Sequence, residues 1–196
     1  LFLVSPGNPD GRAIPLDEIE RLLTLPTMVA VDEAYIEFGG ESALSLLPDH
    51  ENLVVIRTFS KWAGLAGLRI GYGILSPQLN EFIYRIKLPY NVSAAAQIAV
   101  RETLADLEYM QDKIKAIVTE RERLFQKLKA QGILDPFPSQ ANFILCRVVK
   151  GEALRIKQGL ERRGIFVRYF DTPVLRNMIR ISIGKPEHTD AILAAL

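Results

Sequence analysis

Leu53-Val-Val-Ile-Arg-Thr-Phe-Ser-Lys61 is the stretch on which the fold turns. Leu53–Thr58 is strand-sized, largely apolar and rich in β-branched side chains, and it stops at Phe59-Ser60-Lys61. The same form recurs on either side. Leu1–Val4 ends at Ser5-Pro6, Met28–Val31 ends in the acidic pair Asp32-Glu33, and Arg69–Leu75 is closed by Ser76-Pro77. Helical patterns lie between. Pro15 opens one with Leu16, Ile19 and Leu23 on a single stripe, and Ser76-Pro77 supplies the cap and first turn of another. Short buried strands alternating with helices predict an α/β fold with a mainly parallel sheet flanked by helices. In such sheets ligands bind beyond the carboxyl ends of the strands, where Asp32 and Lys61 stand.

Further along, Leu107, Met110, Ile114, Ile117, Leu124 and Leu128 keep helical spacing within a pattern running from Ser93 to Ala130. A break is expected near Asp106, and Gly132 is a natural stop. A strand at Phe143–Val148 follows, then a helix from Gly151 to Arg163 closed by Gly164. Strands at Ile165–Phe170 and Met178–Ile183 come next, and a last helix starts at Pro186. The expected organisation is a larger sheet domain over residues 1–105 and a smaller α+β domain over 106–196.

Bulk properties exclude several classes. The chain has 196 residues, 48% hydrophobic and 24% charged, with a formal net charge of +1, which gives no electrostatic case for nucleic acid or an anionic membrane. Its apolar runs are too short to span a bilayer. Cys146 sits inside Phe143-Ile-Leu-Cys146 and reads as a small buried hydrophobe. His50 and His188 are far apart with no cysteine nearby, so zinc and Ser-His chemistry are poor readings. Leu1-Phe2-Leu3-Val4 opens inside a strand without an initiator Met, which reads as a truncated chain.

Four local patterns carry possible chemistry: Ser5-Pro-Gly-Asn-Pro-Asp-Gly11, Asp32-Glu-Ala-Tyr35, Ser60-Lys61 with Arg69 following, and Arg180 within Met178–Gly184. Singly each has a plain reading: a turn, a helix cap, a solvated lysine. Arg180 is the least easily dismissed. Alternation puts Ile179, Ile181 and Ile183 on one face and Met178, Arg180 and Ser182 on the other, and an arginine among isoleucines is costly without an anion to bind.

Taken together and in this order, the patterns resemble the fold-type-I pyridoxal-phosphate-dependent aminotransferases. The likeness is sharpest in Phe59-Ser-Lys-Trp-Ala-Gly-Leu-Ala-Gly-Leu-Arg-Ile-Gly-Tyr72 and Asp32-Glu-Ala-Tyr-Ile-Glu-Phe38. With Pro89–Ser93, Ser139–Phe143 and Leu175–Gly184, those stretches look like the histidinol-phosphate branch of the family. The resemblance implies pyridoxal 5'-phosphate as cofactor, bound as a Schiff base by Lys61, which would also shuttle the substrate proton. It implies Asp32 against the pyridine nitrogen, Asn8 and Tyr35 on the phenolic oxygen, and Ser60 and Arg69 on the phosphate, with Thr58 a weaker candidate. On the substrate side it implies Arg180, Arg168 and Asn142.

The implied reaction is ping-pong transfer between L-histidinol phosphate and 2-oxoglutarate, with glutamate as the other amine. An aromatic transaminase or a decarboxylase on the same scaffold is the alternative, and a cofactor-binding regulatory domain a more distant one. A homodimer in the cytoplasm, or in the plastid of a plant, goes with the resemblance. The family's front half holds further cofactor contacts. A chain without it is expected to expose sheet edge and apolar surface.

Overall fold

The computed structural model describes all residues 1–196. The chain divides into two compact units: Leu1–Pro6 with Ala13–Ile114, and Gly7–Arg12 with Lys115–Leu196. The expected division after residue 105 coincides with the end of a helix, whereas the boundary between the units falls within the next one. Residues 7–12, near the start of the chain, belong with its end.

In the first unit, β1 (Phe2–Val4), α1 (Leu16–Leu23), β2 (Val29–Asp32), β3 (Leu53–Thr58) and β4 (Gly71–Leu75) build a sheet in the order β1-β2-β3-β4. β1, β2 and β3 run parallel, and β4 pairs antiparallel to β3. With β4 antiparallel the sheet is mixed but mainly parallel, as expected, and Gly71 allows the pairing: a Cβ there would lie 2.6 Å from the Arg57 carbonyl. Ile19 and Leu23 of α1 close over Val29, Val31, Leu53 and Val55, the core of this unit. Met28 is left outside β2, which runs on to Asp32. α2 (Pro77–Ile86) and α3 (Ala94–Ala105) follow, each opened by a serine whose Oγ accepts a backbone N–H: Ser76 from Leu79, Ser93 from Ala96. The long helical pattern breaks at Asp106 as expected, and α4 (Leu107–Gln131) begins one residue later.

The second unit holds β5 (Leu134–Pro136), β6 (Phe143–Val148), α5 (Ala153–Glu161), β7 (Arg168–Tyr169), β8 (Met178–Ser182) and α6 (Pro186–Ala195). Its sheet is antiparallel throughout, in the order β5-β6-β8-β7. Ile144, Cys146, Ile179 and Ile181 face Leu124 and Leu128 of α4, Leu160 of α5 and Ile192 of α6. Cys146 is buried, as its neighbours implied, and that burial pushes its thiol up to about 12. The expected strand over Ile165–Phe170 shrinks to two residues. No helix is long and apolar enough to cross a membrane.

Candidate active site

In the first unit the site begins with strand register. Asp32 is the last residue of β2 and lies opposite Ile56 of β3 and Val4 of β1, so the carboxyl ends of the three parallel strands come together. Asp32 Oδ1 accepts the Ala34 N–H at 2.9 Å, which turns the chain, and its other oxygen has no partner in the chain. The Ile36 N–H returns to the Glu33 carbonyl at 3.1 Å, and Tyr35 is held buried in that turn. Lys61 follows the end of β3, and its Nζ stands 5.3 Å from the centroid of the Tyr35 ring. Lys61 is exposed and pairs with no carboxylate.

Thr58 closes the intervening turn. Its Oγ1 accepts the Ser60 N–H at 3.0 Å and donates to the Ile70 carbonyl at 3.3 Å. The Phe59 N–H also reaches the Ile70 carbonyl, at 3.2 Å, which brings Arg69 alongside Phe59-Ser60. Arg69 adopts a left-handed backbone (φ 53°), and its Nη1 donates to the Ala66 carbonyl at 3.0 Å. The rest of its guanidinium is uncommitted. Trp62 packs in the buried aromatic group with Phe59, their ring centroids 5.5 Å apart.

Behind these residues lies a network that no local sequence pattern announces. Glu33, 1% exposed, accepts from Ser42 Oγ, the Ala43 N–H and Arg57 Nε, with a second Arg57 nitrogen 2.9 Å away. Burial alone would depress Arg57; the charge and hydrogen bond of Glu33 outweigh it and hold the guanidinium above its ordinary range. Removing one partner of a buried pair of this kind costs about 3–5 kcal/mol. Arg57 carries the same sequence signal as Arg180, a cation set among strand hydrophobes in Leu53-Val-Val-Ile-Arg57. Nearby, burial pushes the Glu37 carboxyl up to about 6, with Arg57 pulling it down and Glu33 pushing it up, and its Oε2 is buried without a hydrogen bond.

The second unit gathers Asn8, Arg168, Arg180 and Asn142. Arg180 donates from Nη1 to Asn8 Oδ1 at 2.6 Å and lies over the Phe143 ring, 4.7 Å from its centroid. Segment 7–12 is fastened by the Gln140 N–H on the Gly11 carbonyl at 2.7 Å, and Gly11 (φ +72°) packs so closely on Ser139 that a Cβ would collide with it. Arg168 lies directly opposite Arg180 in the β7–β8 pairing, so the two side chains share a face of the sheet. Neither arginine has an ion-pair partner. Asn142 is fixed through its backbone, whose carbonyl accepts the Ile183 N–H at 2.9 Å.

An aspartate closing β2 and a lysine just past β3, followed by an antiparallel sheet with two opposed arginines that meet no carboxylate, define a recognisable class. Residues 1–196 match the model of the family described as aminotransferase class I and II, and the chain belongs to that family. Among its relatives, the histidinol-phosphate aminotransferase of Dehalococcoides mccartyi is 49% identical over the whole chain, which covers 55% of that protein. The chloroplastic histidinol-phosphate aminotransferase of Nicotiana plumbaginifolia is 48% identical, with 48% of its length covered. The crystal structure of histidinol-phosphate aminotransferase from Sinorhizobium meliloti in complex with pyridoxal-5'-phosphate superposes with a TM-score of 0.85 at 30% identity, over 100% of this chain and 55% of that one. The chain thus spans about half the length of the curated relatives it matches.

Proposed function

We propose that the protein to which these residues belong transfers an amino group between L-histidinol phosphate and 2-oxoglutarate, with pyridoxal 5'-phosphate attached at Lys61. The observation that carries this reading is the opposed pair Arg168 and Arg180, neither of which meets a carboxylate. Like charges directly across two strands are destabilising, and the guanidinium of Arg180, half-buried where Arg168 is exposed, is costly until an anion reaches it. The two substrates supply such anions, one a phosphate and the other a second carboxylate. The same cationic face can therefore serve both halves of the reaction. The names of the relatives, at 48–49% identity along the full chain, point to the same substrate.

The residues of the first unit suit the cofactor by their chemistry. Lys61 offers an amine with no anionic partner, and Asp32 keeps one carboxylate oxygen uncommitted, as a group facing a protonated ring nitrogen must. The Ser60 hydroxyl and the open side of Arg69 suit a phosphate, since a guanidinium can donate two parallel bonds to its oxygens. Asn8 has Oδ1 taken by Arg180, and the resemblance would put Asn8 and Tyr35 on the cofactor's phenolic oxygen. The cofactor, when bound, supplies the electron sink for the charge developed at the substrate α-carbon. Once the substrate amine has displaced it, Lys61 Nζ would remove the proton from that carbon, acid–base assistance worth ~10²–10⁴-fold in rate. Asp32 keeps the ring nitrogen charged, and Arg180 and Arg168 hold the substrate's anionic end.

The exposed Phe82, Tyr84, Ile86, Leu88 and Tyr90 support a homodimer in the intact protein. The chloroplastic name of the Nicotiana plumbaginifolia relative supports a plastid location in a plant, with the cytoplasm expected in a bacterium.

The test uses the full-length protein. Histidinol phosphate is expected to convert the bound cofactor to its amine form far faster than phenylalanine, and borohydride reduction followed by peptide mapping is expected to label Lys61. Faster conversion by phenylalanine would remove the substrate assignment, and a label on another lysine would remove the site.

A further inference from the structure

Phe143 lies behind Arg180 on the sheet face opposite the core. In the β6–β8 register Phe143 faces Ser182 and Leu145 faces Arg180, so Phe143 and Arg180 are diagonal neighbours on one face. Phe143 is 2% exposed, and the guanidinium carbon of Arg180 lies 4.7 Å from its ring centroid. Three sides of the guanidinium are accounted for. One plane rests on the aromatic face, Nη1 is held by Asn8, and Nε is covered by protein with no acceptor. What is left for a ligand is Nη2, with the Nη1 hydrogen that Asn8 does not take.

We propose that Phe143 is a positioning residue for substrate anions: its ring fixes the plane of Arg180 so that the remaining edge of the guanidinium meets a carboxylate or phosphate. The proposal deepens the reading of Arg180 given above and rests on it. A flexible arginine must lose side-chain freedom when an anion arrives; one already clamped between a ring and an amide loses less, and this gain appears in affinity. Cation–π attraction of this kind is worth about 0.5–2 kcal/mol, and each 1.4 kcal/mol is tenfold in binding. The interaction acts equally on the ground and transition states, so it belongs in KM and not in kcat.

The experiment compares Phe143→Leu, Phe143→Tyr and the 3,5-difluorophenylalanine form of position 143 in the full-length holoenzyme. Succinate, a non-reacting dicarboxylate, is titrated calorimetrically, and KM and kcat are measured alongside melting temperature. Phe143→Leu is expected to weaken succinate and raise KM for 2-oxoglutarate by about three- to thirty-fold, with kcat within twofold. Phe143→Tyr should restore both. The fluorinated ring keeps shape and packing but has a much weaker negative face, so it should weaken succinate by at least threefold without lowering the melting temperature. The proposal is overturned if the fluorinated enzyme binds succinate within threefold of wild type, or if Phe143→Tyr is as impaired as Phe143→Leu. A protein that shows no transamination yet loses succinate affinity on fluorination would sink the reaction assigned above and leave the role of Phe143 standing.

Discussion

Under the proposed function, Lys61 is the side chain that would separate binding from turnover. Lys61→Ala in the full-length protein is expected to reduce kcat by ~10²–10⁴-fold while leaving substrate anion affinity within twofold, measured by stopped-flow and calorimetry. A loss of succinate binding equal to the loss of rate would place Lys61 in the substrate pocket instead. Glu37 gives a prediction in pH. Its folded value of about 6 lies above the ordinary 4.5, so the fold prefers the protonated form. Stability from that preference is complete below about pH 4.5 and disappears as pH rises through 6. Glu37→Gln should therefore melt higher than wild type at pH 7.5, and the difference should vanish near pH 4. A gap that stays constant from pH 4 to 7.5 would refute this account. The place of Asp32 at the end of β2 and of Lys61 just past β3 was legible in sequence because each apolar run gives way there to polar residues, while the roles given to them came from the resemblance. Glu33 with Arg57 was not, since that bond joins residues 24 positions apart and is made only when β2 and β3 align.

Asn177 decides how β6, β8 and α5 meet. It takes a left-handed backbone (φ 60°), accepts the Ala153 N–H at 2.7 Å and donates to the Val148 carbonyl at 3.0 Å. One side chain thereby serves the start of α5 and the end of β6. Asn177→Ala should cost about 3 kcal/mol, from two lost hydrogen bonds and the strain of the backbone region. Asn177→Gly, which keeps the backbone free, should cost roughly 1 kcal/mol less. Equal urea midpoints for the two variants would show that the backbone strain is negligible. The existence of most elements was readable, because serine and proline caps and apolar spacing are local signals. Direction and length were less so. An apolar run does not reveal that β4 opposes β3, and Ile165–Phe170 yields only a two-residue strand because its pairing partner β8 reaches just Arg168 and Tyr169. Leu134-Asp-Pro136 is too short to have been read as β5 at all.

The whole chain exposes 11929 Å², against roughly 9300 Å² for a folded monomer of its 22.0 kDa. Apolar side chains on and just after α2 contribute to that excess: Phe82, Tyr84, Ile86, Leu88 and Tyr90 are 62–99% exposed. These 196 residues in isolation are therefore expected to self-associate with rising concentration in sedimentation experiments. Replacing Phe82, Tyr84 and Ile86 together by serine should reduce that association; an unchanged profile would move the sticky surface elsewhere. The expectation of uncovered apolar surface came from resemblance, and composition alone gave no hint of it. Gly7–Arg12 adds a constraint on dissection. Because this short segment is part of the unit formed by Lys115–Leu196, no single cut in the backbone can release that unit whole. A genetic excision beginning at Lys115 would leave the Gln140 amide without its acceptor and Arg180 without Asn8, and only a spliced-in copy of the hexapeptide, joined by a linker or supplied in trans, would complete it.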